Sequence, residues 1–150
     1  MIKLYVLYIL LGVYVFCCQS LVWDFFPRDL MSCSTHYSSL SLFSIVPLLL
    51  LFRPKIASIV GLLCLIGVAP FAIFWIFNSK YTFVSDQGWI FHLIMYFAII
   101  LYFIAIGLSL NIVMNYKKSQ HKISLTKPLK ITLVSLPLAL LLFVIVIYFM

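Results

Sequence analysis

Five apolar runs, at residues 4–23, 37–52, 56–77, 89–114 and 131–150, divide the chain, and none of them contains a Lys, Arg, Asp or Glu. A backbone inside lipid must satisfy its own N–H and C=O groups, so only helices and closed barrels cross a bilayer, and a helix needs about 20 apolar residues to do so. Runs of this length are continuously apolar, without the period of two that a barrel strand shows. They predict an all-α fold, a polytopic transmembrane helical bundle of five spans. The chain is 66% hydrophobic and 9% charged, with a mean hydropathy of +1.24. Soluble chains carry about 25% charged residues, so water is excluded as the solvent. Residues 1–150 are read as a single transmembrane domain with no soluble domain.

The first run follows Lys3, the positive flank of a signal-like segment. Cleavage is not expected, because Phe16 precedes Cys17 where a processing site needs a small residue. A retained signal-anchor helix is the reading. The second run begins in a serine-rich stretch (Ser34, Ser38, Ser39, Ser41, Ser44) and carries Pro47. At about 16 residues, or about 24 Å, it falls short of a hydrocarbon core of about 30 Å. It is the weakest of the five, with a re-entrant segment as the alternative. Arg53-Pro54-Lys55 then makes a polar turn into the third run, which points to a helical hairpin.

Orientation follows from the basic residues, which collect on the cytoplasmic side of membrane proteins. With five crossings, eight of the ten basic residues (Lys3, Arg53, Lys55, Lys117, Lys118, Lys122, Lys127 and Lys130) share one side. Arg28, Lys80 and all three Asp fall on the other. The chain is therefore read as N-in and C-out. Trp23, Trp75 and Trp89 then sit at the outer boundary, and Tyr5, Tyr8 and Tyr116 at an inner aromatic belt. The five Lys of 115–130 are expected to contact anionic lipid, at about 1 kcal/mol per residue near the surface. A net charge of +7 would suggest nucleic acid in a soluble protein, but here it is spent on topology, and no nucleic-acid partner is expected.

Little chemistry is available. There is no Glu, no phosphate loop and no nucleophile motif, and the four Cys lack the spacing of a zinc or disulfide framework. No catalytic set, metal site or cofactor is expected. His92 is the only His within a predicted span, about 5 Å inside the outer interface. His36 is read as lying in the first outer loop. The pairs Ala57/Gly61, Ala105/Ser109 and Ser135/Ala139 mark the third, fourth and fifth spans as packing partners.

What remains is an aromatic, mixed-charge outer surface made by Trp23, Asp24, Phe26, Arg28, Asp29, His36, Trp89 and His92. Tryptophan and arginine are enriched where proteins meet. The expected function is that of a small non-catalytic inner-membrane protein that binds another membrane protein, as an accessory subunit or an immunity-type protein. A subunit of an oligomeric transporter or channel is the alternative. Eight of the ten basic residues are Lys, and Ile, Phe, Tyr and Leu abound, as in proteins of AT-rich bacterial genomes. A bacterial cytoplasmic membrane is the expected location.

Overall fold

The computed structural model describes residues 1–22, 29–78, 88–115 and 127–149. Among these, all regular structure is helical: α1 (Ile2–Val22), α2 (Leu30–Phe43), α3 (Ile45–Phe52), α4 (Pro54–Asn78), α5 (Gly88–Asn115) and α6 (Lys127–Phe149). Four of them, α1, α4, α5 and α6, are long and apolar enough to cross a membrane. A fifth crossing is available if α2 and α3, bent by 41° at their junction, act as one span.

The junction has a local cause. Pro47 lacks an N–H for the Phe43 carbonyl, and its ring crowds that carbonyl, so a helix running into it must bend one turn earlier. Ser44 sits at the break, and both its N–H (3.2 Å) and its hydroxyl (2.6 Å) donate to the Leu40 carbonyl. The segment begins at Leu30 rather than near residue 37, which corrects the expected boundary. Its polar residues are helical because they return hydrogen bonds to the helix itself: Thr35 to the Met31 carbonyl (3.0 Å) and Ser39 to the His36 carbonyl (2.8 Å). From Leu30 to Phe52 the path along the two helix axes is about 34 Å, enough for a hydrocarbon core of about 30 Å.

α1 is the most buried of the four long helices. Of its spanning window 56% is buried, against 33% for α4, 17% for α5 and 11% for α6. Close approach of α1 to α2 rests on Gly12, where an added Cβ would lie 2.7 Å from the Phe43 nitrogen and 2.8 Å from the Ser39 carbonyl oxygen. α4 approaches through Gly61, which the Tyr8 ring covers, and meets α2 through Gly67, which faces Ser38.

Tyr5 and Tyr8, expected at an interfacial belt, are instead core residues, 2% and 0% exposed. The Tyr8 hydroxyl pairs with the Ser109 hydroxyl of α5 at 2.6 Å. Tyr102 of α5 donates to the Leu65 carbonyl of α4 at 2.9 Å. Tyr5 donates to the Leu133 carbonyl of α6. That carbonyl is the one left without a helical donor by Pro137, four residues on. A tyrosine hydroxyl thus replaces the missing N–H, as lipid-embedded proline requires.

Of the small-residue pairs, Ala57/Gly61 and Ala105/Ser109 pack inward. Ser135 and Ala139 are exposed, and α6 packs on α3 and α2 rather than forming the expected cluster with α4 and α5. The Tyr5 bond is therefore a main tether of α6. Tyr5→Phe is expected to destabilise the bundle by about 1 kcal/mol. Faster proteolysis or amide exchange in α6 than in α4 is the expected signature, and equal rates would count against the tether.

These ties order the ends. The starts of α1, α4 and α6 and the end of α5 lie together, and Gln19 near the end of α1 donates to the Ser32 carbonyl at the start of α2 (2.7 Å). Exposed Lys3, Arg53, Lys55 and Lys130 therefore occupy one end of the bundle, and Asp29 the other.

Candidate functional site

At the Asp29 end, the first two turns of α2 and the last turns of α4 diverge around a groove of about 280 Å³. Asp29 is the N-cap of α2. Its carboxylate accepts from the Ser32 backbone N–H, satisfying one of the donors that every helix start leaves over. The Ser32 backbone and side chain, then the Met31 backbone, hold the Asp29 carboxyl below the usual carboxylate range. Asp29 is exposed and ionised at neutral pH. The cap contact is kept above its lowered pKa and lost as acid protonates it.

One wall is made by Met31, Ser32 and Thr35 of α2, and the other by Pro70, Phe71 and Phe74 of α4. The two walls are tied at the base, where the Thr35 hydroxyl also reaches the Gly67 carbonyl at 3.3 Å. Gln19 of α1, 1% exposed, holds the Ser32 carbonyl from behind. Pro70 removes one backbone donor from the α4 wall.

Of the outer-face residues expected from the sequence whose side chains are described, Asp29 lines this groove and His36 does not. Trp23, Asp24, Phe26 and Arg28 lie outside the described residues, as do Lys117, Lys118 and Lys122. Trp89 and His92 are placed on the first turns of α5, and Lys127 on the first turn of α6. Lys130 is exposed there. His36 is not in a loop: it lies in the middle of α2, 3% exposed, with its ring centroid 4.8 Å from that of Phe16 on α1. It is removed from any outer surface because α2 starts seven residues before the expected span.

No motif in the sequence marks Ser32, Thr35, Phe71 or Phe74. The one available signal was Asp29 three residues before Ser32, the spacing of an N-cap and the N–H it accepts. Among the described residues no three His, Cys, Asp or Glu side chains converge as a metal site would need. A second cavity of about 290 Å³ lies between α1 and α6, lined by Ser20 and by apolar side chains including Phe16, Phe143 and Val144. Its chemistry is that of a surface covered by lipid tails. No family model, curated protein or solved structure matches the chain.

Proposed function

We propose that this chain is a small integral protein of a bacterial cytoplasmic membrane, N-in and C-out with five crossings. In this reading it acts without catalysis, by binding another membrane protein at its outer end, as an accessory subunit or an immunity-type protein. The observation that carries this reading is the groove at the Asp29 end, where a carboxylate and two aromatic rings border a space that the bundle leaves open. The buried polar groups elsewhere support it. Tyr5, Tyr8, Tyr102 and Ser109 bond between or within helices, which suits a rigid bundle better than a water-filled path. Ligand sites in helical proteins are commonly held between helices in this way, with few polar groups in an apolar setting.

A photo-crosslinking residue at Met31, 60% exposed on the groove wall, tests the proposal against the same residue at Phe103, 61% exposed on α5. A single protein adduct from Met31, absent from Phe103 and lost in the triple variant Asp24→Ala, Arg28→Ala, Asp29→Ala, is the expected result. Equal labelling at both positions, with ion or solute flux through the reconstituted protein, would replace it with the oligomeric channel or transporter reading.

A further inference from the structure

α1 and α6 run parallel from a common start, where the Tyr5 hydroxyl of α1 donates to the Leu133 carbonyl of α6. Further along they part, and their later turns border the cavity of about 290 Å³. Val13, Phe16, Cys17 and Ser20 form its α1 wall, and Leu140, Phe143, Val144 and Ile147 its α6 wall. Phe16 and Val144 are buried with Phe43 of α2 in one small cluster, which makes the floor. Cys17 is exposed, and Phe143 and Ile147 are 64% and 40% exposed, so the cleft opens sideways, where a membrane places lipid.

Length and volume decide what fits. Each wall, Val13 to Ser20 and Leu140 to Ile147, extends over about 10 Å of helix. A helix about 10 Å across would need about 800 Å³ over that distance, so a helix of a partner or of a second copy finds less than half the room it needs. A single hydrocarbon chain is slim enough, since packed carbons approach to about 4 Å.

The polar group lies where an acyl ester would put its own. Ser20 stands close to the end of α1 at Val22 and Val13 near its middle, so the cleft is polar toward the helix end and apolar toward the bilayer centre. A glycerolipid has the same order along one chain: an ester at the boundary, then methylenes. Thr35, Ser44 and Ser109 each donate to the carbonyl one turn back, as helical hydroxyls commonly do. The buried Ser20 Oγ has no hydrogen-bond partner among the described residues. Such a group is costly away from water, and a hydroxyl turns about one bond to meet an acceptor. An ester carbonyl supplies one.

We propose that the cleft between α1 and α6 binds one acyl chain of a bilayer glycerophospholipid, from the leaflet at the Asp29 end, with its ester carbonyl accepting from Ser20. The bound chain completes the packing of α6, the least buried of the four long helices.

Photolabelling of the full chain in phosphatidylcholine nanodiscs tests this. The probe is phosphatidylcholine with a diazirine in the upper half of one acyl chain, and adducts are mapped by peptide mass spectrometry. Adducts on the two cleft walls are expected to exceed several-fold those on Ile100, Phe103 and Ile104, which are exposed on α5. Ser20→Ala is expected to lower cleft labelling about five-fold, the change that one hydrogen bond commonly makes. Cys17→Phe puts a ring into the cleft from an exposed position and is expected to abolish cleft labelling. Unchanged α5 labelling and an undiminished thermal midpoint show that both variants fold.

Cleft labelling no greater than that of α5, or undiminished in Cys17→Phe, would overturn the proposal. Full labelling in Ser20→Ala would remove the ester contact, and the glycerolipid assignment with it. A Cys17–Cys17 cross-link between two copies in membranes, in a chain whose other three cysteines are alanine, would give the cleft to a second copy instead.

Discussion

Gly12→Leu is expected to destabilise the bundle by about 3 kcal/mol, near the upper end of what overpacking a well-packed core costs. The reason lies in what the new side chain would meet. A Cβ on Gly12 would be 2.7 Å from the Phe43 backbone nitrogen and 2.8 Å from the Ser39 carbonyl oxygen. Those atoms belong to the α2 backbone and cannot rotate away as a side chain would. α1 and α2 must therefore separate, and the packing of Leu42 and Phe43, 0% and 1% exposed, is lost with the contact. Even Gly12→Ala meets the same atoms, so a smaller loss in the same direction is expected. Gly107 is the matched control, since a Cβ there meets nothing within 4 Å. Gly107→Ala should be neutral or slightly stabilising, because alanine is the better helix former by about 1 kcal/mol. Equilibrium unfolding in mixed micelles with increasing SDS measures both. Equal stability of the Gly12→Leu and Gly107→Ala proteins would mean that α1 and α2 do not approach at Gly12.

Gly12 also shows where the sequence stops being readable. Small-residue pairs four apart are visible along one helix, and Ala57/Gly61 and Ala105/Ser109 do face inward. Gly12 has Tyr8 and Phe16 at those offsets, and its counterpart is the backbone of another helix, so no local pattern announces it. The four long helices were legible to within four residues at each end, because lipid demands an unbroken apolar run. α2 was legible only from residue 37, because Ser32, Ser34 and Thr35 near its start look like a loop until the bonds of Thr35 to its own helix and to α4 are seen.

In the sequence alone, an amphipathic ring places Tyr5 and Tyr8 at an interface. The ring is equally suited to reach a carbonyl that a proline has left bare, and only the fold distinguishes the two. The groove was legible in one residue, Asp29. Phe71 and Phe74 sit on a helix that is apolar on every face, where no periodicity separates a ring facing lipid from one facing a neighbour.

The second large effect concerns the α2–α3 pair and is all-or-none. In a protein whose four cysteines (Cys17, Cys18, Cys33 and Cys64) are replaced by alanine, single cysteines at Leu30, Lys55 and Lys130 are expected to divide into two classes. Leu30→Cys, at a position 89% exposed, should react with a membrane-impermeant maleimide on intact cells. Lys55→Cys and Lys130→Cys should react only after permeabilisation.

The physical argument runs through the contacts of α4. Its start is fixed beside the start of α1, since Tyr8 lies over Gly61, and its later part meets α2, since Gly67 faces Ser38 and accepts from Thr35. A chain that enters α2 beside Gln19 and leaves α3 into α4 at Pro54 must therefore travel from one end of α1 to the other. A re-entrant loop would return it to the Asp29 end and place Arg53 and Lys55 beside Asp29, away from Lys3 and Lys130. It would also break the packing of Leu50, 1% exposed, in the cluster that holds Leu4 and Ala57. Labelling of Lys55→Cys from outside would thus remove the fifth crossing and, with it, the assignment of the Asp29 groove to the face opposite the lysines.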